Sequence, residues 1–144
     1  MAIDTSGKFW KGQNTDDLIE YIRLLTKEGY PTSKHVVAKC TRGKQHFQLI
    51  ADQDEGCAKR ICASCGKETF ICDSEEAWSD SSPKKLKCKC KTDLFEIVVG
   101  FSLRDDGEIK WVNVGQRCVN CGILGSYVNW GIDYAPTKDL YAMV

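Results

Sequence analysis

Two pairs of cysteines, Cys88-x-Cys90 and Cys118-x-x-Cys121, bracket a stretch whose apolar residues fall at every second position. Phe95, Ile97, Val99, Phe101 and Leu103 keep the period of a strand with a buried face. Asp105-Asp106-Gly107 then supplies the residues of a tight turn, because Asp and Gly tolerate positive φ. With Asp106 and Gly107 as the two central turn residues, Phe101 faces Val112, Val99 faces Val114 and Phe95 faces Cys118. Both cysteine pairs then reach the same end of one hairpin.

Four thiolates at one point suit tetrahedral Zn²⁺, with Zn–S bonds of about 2.3 Å. Gly122 directly after Cys121 fits a metal knuckle, whose turn passes through a conformation that glycine adopts without strain. The Cys-x-Cys half of the pattern is tighter than the usual spacing. The first residues show no basic segment followed by an apolar run, and no apolar stretch approaches the ~20 residues that span a bilayer. A cytoplasmic protein without membrane contact is therefore expected. In that compartment nine cysteines point to metal ligands rather than disulfides.

The order recurs upstream. Cys40 lies seven residues before Phe47, as Cys88 lies seven before Phe95. Phe47-Gln48-Leu49-Ile50-Ala51 leads to a turn at Asp54-Glu55-Gly56, a return strand and Cys62-x-x-Cys65-Gly66. Pairing Phe47 with Cys62 centres the hairpin on that turn, so the chain reads as an internal duplication. A third strand follows each knuckle, Thr69-Phe70-Ile71-Cys72 in the first half and Val128, Trp130, Ile132 and Tyr134 in the second. The duplication places a ligand where Arg42 stands, leaving Cys40, Cys62 and Cys65 in register. Cys72, aligned with Val128, is equally a core thiol or a fourth ligand, and His46 and His35 are further candidates. Cys57, by the hairpin turn, is roughly 16 Å from the knuckles and is excluded.

Ahead of these units, Thr15-Asp16-Asp17 reads as a helix start, with an N-cap side chain and acids that complement the helix dipole. Leu18, Ile19, Tyr21, Ile22 and Leu25 form a stripe at helical spacing, and the expected helix covers about 15 to 28. Residues 73–78 fit one helical turn, and Ser79 to Pro83 has linker composition. The fold class is α+β, mainly β: an N-terminal arm and helix (1–38), then two tandem three-stranded antiparallel units, 39–82 with a degenerate metal site and 83–144. Trp111 lies opposite Ser102 and beside Gly100, a glycine that it could cover. Glu96 faces Arg117.

With 20 basic and 20 acidic residues the net charge is zero, so any attraction for nucleic acid must be local. Lys84, Lys85, Lys87, Lys89 and Lys91 form such a patch, although a zinc ion with four thiolates carries minus two and lysines would offset it.

At Cys88-x-Cys90, Cys118-x-x-Cys121-Gly122 and Cys62-x-x-Cys65-Gly66 the chain resembles zinc-ribbon proteins. That resemblance implies one Zn²⁺, or two if the first site is filled, and a module that binds protein or nucleic acid. Val114-Gly115-Gln116-Arg117-Cys118, running on to Gly122 through Trp130, is also similar to small bacterial cysteine-rich proteins of unknown function. The expected function is a non-enzymatic, zinc-binding module with a protein partner, neutral charge favouring protein over nucleic acid. Nucleic-acid binding through the lysines and thiol redox chemistry at a Cys-x-x-Cys are the alternatives. The redox reading requires a Cys-x-x-Cys that opens a helix, whereas these follow hairpins.

Overall fold

A computed structural model describes residues 3–144; Met1 and Ala2, at the start of the chain, lie outside the described residues. The elements are α1 (Thr15–Thr26), β1 (Lys34–Val37), β2 (Phe47–Asp52), β3 (Cys57–Cys62), β4 (Glu68–Phe70), α2 (Ser74–Trp78), β5 (Lys84–Lys85), β6 (Phe95–Leu103), β7 (Ile109–Cys118), β8 (Leu124–Gly131) and a 3₁₀ turn (Lys138–Ala142). This is the mainly antiparallel α+β class. None of the described helices is long and apolar enough to cross a membrane.

β6 and β7 pair as the alternation dictates, with Phe95 opposite Cys118, Glu96 opposite Arg117, Val99 opposite Val114 and Phe101 opposite Val112. Phe47 faces Cys62 in the β2–β3 hairpin. One turn differs from expectation. The Gly107 N–H donates to the Arg104 carbonyl at 3.0 Å and Gly107 has a φ of 87°, so Asp105 and Asp106 are the central residues and glycine follows in the left-handed region. Such a turn adds a bulge, and the register shifts after Ser102.

The two hairpins belong to one sheet, ordered β4-β3-β2-β6-β7-β8. They join at a single pair, Phe47 with Phe95. Beyond it, β1 occupies the same edge of β6, and β5 the same edge of β2. The first hairpin then leans across the second. A Cβ on Gly56 would lie 2.7 Å from Trp130 Cβ, and the Gln53 amide donates to the Tyr127 carbonyl at 2.7 Å. Phe47, Leu49, Ala58 and Ile71 from one half share a core with Phe101, Val112, Val128 and Leu140 from the other.

The opposite face of β6 and β7 carries Val98, Gly100 and Gly115, and α1 closes over it. Asn14 rather than Thr15 caps that helix, its side chain accepting from the Asp17 N–H at 3.0 Å. Leu18 and Ile22 are fully buried, whereas Leu25, the expected end of the stripe, is 53% exposed. A Cβ on Gly115 would come within 2.6 Å of Ile22 Cδ1, and one on Gly100 within 2.9 Å of Ile22 Cγ2. The glycines thus let the helix seat directly on the sheet. Trp111 covers Gly131 instead of Gly100 and stacks on Tyr30 at 5.0 Å.

Ile22→Ala should lower the unfolding free energy by about 2–5 kcal/mol, measured by urea denaturation. Leu25→Ala should change it by about 0.5 kcal/mol or less. Equal losses from the two would contradict this seating of α1.

Candidate metal centre

Each cysteine pair sits in a backbone turn of its own. After the Cys88 carbonyl the chain folds back so that Lys91 N–H donates to it at 2.8 Å, while Cys88 N–H donates to the Thr92 carbonyl at 2.8 Å. Lys91 has a φ of 74°, a left-handed conformation that is uncommon outside glycine. On the other side the Gly122 N–H donates to the Cys118 carbonyl at 3.0 Å, and Cys118 N–H to the Ile123 carbonyl at 3.0 Å. Val119 N–H to the Leu94 carbonyl, at 3.2 Å, ties the two turns together.

The sulfurs converge. Cys88 Sγ lies 3.5 Å from Cys121 Sγ, and Cys90 Sγ lies 3.5 Å from Cys118 Sγ. All four lie within 4.8 Å of one another. Corners of a tetrahedron around Zn²⁺ with standard Zn–S bonds stand about 3.8 Å apart, so the donor set fits. Disulfide sulfurs would be about 2.05 Å apart; these cysteines are free.

Cys118 is buried and Cys90 exposed, and their surroundings differ accordingly. The Thr92 hydroxyl lies 3.2 Å from Cys90 Sγ, and the Asn120 amide donates to it at 3.6 Å. Hydrogen bonds from the Thr92 side chain and backbone, then from Asn120, hold the Cys90 thiol down at about 5. Burial pushes Cys88 up to about 12 and raises Cys121. Cys90 is therefore poised to lose its proton before Cys88 and Cys121, and a dication would draw off theirs.

The second group is Cys40, Cys62 and Cys65, whose sulfurs also lie within 4.8 Å of one another. Its turns repeat the hydrogen bonds of the first. Gly43 N–H donates to the Cys40 carbonyl at 2.8 Å, and Cys40 N–H to the Lys44 carbonyl at 2.9 Å. Gly66 N–H donates to the Cys62 carbonyl at 2.9 Å, and Ala63 N–H to the His46 carbonyl at 3.0 Å. Gly43, with a φ of 77°, stands where Lys91 stands. Arg42 occupies the position of Cys90, and its N–H donates to Cys40 Sγ at 3.3 Å.

None of the candidate fourth ligands joins this group. Cys72 is wholly buried, its thiol directed to the Leu140 carbonyl at 3.6 Å and pushed up to about 12 by burial. His46 is exposed. His35 pairs opposite Gly100 and meets the Thr32 hydroxyl at 2.8 Å, on the face that α1 covers. Cys57 is buried at the far end of β3, in neither group.

The lysine patch is dispersed. Lys84 and Lys85 form β5 on the edge of β2, so they join the first hairpin, and Lys85 Nζ pairs with Asp93 at 2.9 Å. Lys89 Nζ lies 5.8 Å from the Phe9 ring centroid. Sequence reasoning missed Arg60, which is 5% exposed and lies over the Phe47 ring at 4.5 Å. Its signal was its phase: it shares the core-facing register of β3 with Ala58 and Cys62.

A thiol whose pKa is lowered is less costly to deprotonate on metal binding, so its lowering extends metal retention toward lower pH. Thr92→Val removes the largest contribution to the shift at Cys90. In metal-loaded protein the midpoint of acid-induced metal release, followed with a chromophoric chelator, should move to higher pH. An unchanged or lower midpoint would contradict this role.

No protein-family model, curated protein or solved structure matches this chain.

Proposed function

We propose that the chain is a non-enzymatic zinc-ribbon module, cytoplasmic, in which Cys88, Cys90, Cys118 and Cys121 hold one structural Zn²⁺ and the surface binds another protein. The observation that carries the metal reading is the convergence of four sulfurs from two tight turns within 4.8 Å. Four protein ligands leave no open position for substrate, which is the arrangement of a structural rather than a catalytic zinc. The recurring turn hydrogen bonds support an internal duplication whose first copy exchanged a ligand for Arg42.

A protein partner is supported by zero net charge and by apolar surface. Phe9, Trp10, Leu24 and Leu25 are each at least 37% exposed and border a groove of about 430 Å³. Contiguous exposed apolar surface marks interaction sites.

The nucleic-acid reading keeps one specific support, since Lys8 and Lys89 both lie against the Phe9 ring, at 5.6 and 5.8 Å. Such binding would weaken steeply as salt rises. Absent or salt-independent binding to single-stranded and duplex probes rejects it. Against the redox reading, both Cys-x-x-Cys segments follow strands, β3 and β7, and end at glycine instead of opening a helix.

A structural zinc contributes about 10–16 kcal/mol of apparent binding free energy, comparable to the whole stability of a domain, about 5–15 kcal/mol. Complete chelation should therefore unfold the β6–β7 hairpin, seen as loss of near-ultraviolet circular dichroism. Cys118→Ser should abolish the tightly held zinc in native mass spectrometry. A fold that persists unchanged after full zinc removal would overturn the proposal.

A further inference from the structure

Exposed apolar side chains gather where the N-terminal arm meets α1, and unpaired cations gather at one end of the same place. We infer that this groove receives a short peptide segment of a partner protein, apolar where it lies along α1 and acidic where it reaches the arm. The inference rests on the protein-binding reading above and adds the chemistry of the partner.

The walls are fixed before anything binds. The Leu124 N–H donates to the Trp10 carbonyl at 2.8 Å and the Gly12 N–H to the Gly122 carbonyl at 2.9 Å, so the arm is held on the start of β8. The Trp10 ring meets Tyr21 of α1 edge-on, with centroids 6.1 Å apart. Between arm and helix lies a groove of about 430 Å³, with Leu24, Leu25 and Leu124 in its lining. A groove formed in advance loses little order when a ligand enters.

The apolar surface continues along the helix. Leu25 also borders a second groove, of about 360 Å³, which reaches the exposed Tyr30 and its stacking partner Trp111. Two grooves that share a side chain suit a segment with more than one apolar anchor.

The charge is placed at one end. Lys8 lines the first groove with its Nζ 5.6 Å from the Phe9 ring centroid, and Lys89 approaches the same ring at 5.8 Å from the turn between Cys88 and Cys90. Lys87 and Lys91 are exposed on either side of Lys89. Among the described residues no carboxylate pairs with these four lysines, and none lines either groove. Zinc with four thiolates would answer two of the four charges, so this end stays basic. The far end is mixed, with Glu28 exposed just past α1 and Lys110 Nζ 4.7 Å from the Tyr30 ring centroid. A nucleic acid carries charge along its whole length and would lay phosphates over leucines. A peptide can set acids against Lys8 and Lys89 and apolar side chains against the rest.

The test pans phage-displayed random peptides against the zinc-loaded full chain, then measures the enriched peptides by fluorescence anisotropy. Enriched sequences should carry leucine, isoleucine or phenylalanine beside aspartate or glutamate. Leu24→Glu, at an exposed helix position, should weaken them about tenfold or more. Lys8→Glu should weaken them about threefold, and exchanging the peptide's acids for lysine should restore binding to that variant. Far-ultraviolet circular dichroism should be the same for both variants and the parent chain. Peptides that lack acids, or that bind Leu24→Glu as well as the parent, would overturn the inference and leave a protein partner standing. A library without binders would overturn it too, and salt-dependent binding of a single-stranded DNA oligonucleotide in its place would remove the protein-partner reading as well. Self-association in sedimentation velocity that is lost in Leu24→Glu would assign the groove to a second copy of the chain and overturn the inference.

Discussion

The pairing of Phe95 with Cys118 is the constraint on which the rest depends. A slip of one residue would turn Cys118 and the whole β7 hydrophobic set to the opposite face. With the pairing fixed, the β7 knuckle meets the turn that leads into β6, and four sulfurs come within 4.8 Å. The same register aims Val99, Phe101, Val112 and Val114 at the shared core. It aims Gly100 and Gly115 at α1. Metal donors and core are thus set by one alternation, and neither can be moved without the other.

The two hairpins do not stand side by side as separate bodies. Trp130 Nε1 donates to Asp73 at 3.0 Å and Tyr134 to the same carboxylate at 2.9 Å, which ties the end of the chain to α2. The C-terminal segment then buries Leu140 and Val144 against the first half, and a backbone oxygen of Val144 accepts from Arg60. Loss of order at the C-terminus would expose the buried guanidinium as well as an apolar face.

Period-two alternation and cysteine spacing made both hairpins, their registers and both sulfur groups readable, because each depends on residues close in the chain. Glu96 and Arg117 were legible for the same reason, and they meet at 2.7 Å. What escaped was set by distant contacts. Leu25 belongs to the helical stripe by spacing, but it borders open grooves instead of packing on the sheet, so it stays at the surface. Trp111 was assigned to the wrong glycine because the choice between Gly100 and Gly131 depends on where α1 and Tyr30 sit. The single pairing of Phe47 with Phe95, which makes two hairpins one sheet, leaves no local signal at all.

The two cysteine groups share backbone turns and differ in how charge is met. Around Cys88, Cys90, Cys118 and Cys121 the lysines at 87, 89 and 91 are exposed, so negative charge on the sulfurs there is met by solvated, mobile cations that salt can screen. In the strand that ends at Cys62, Arg60 is buried and donates to backbone oxygens of Lys39 and Val144. Buried charges are screened far less than exposed ones, so the charge of Arg60 acts on its surroundings at any ionic strength. Arg42 stands in the first turn where Cys90 stands in the other, and it offers a donor-only side chain in place of a thiol. Turns that share their hydrogen bonds thus present three sulfurs in one place and four in the other.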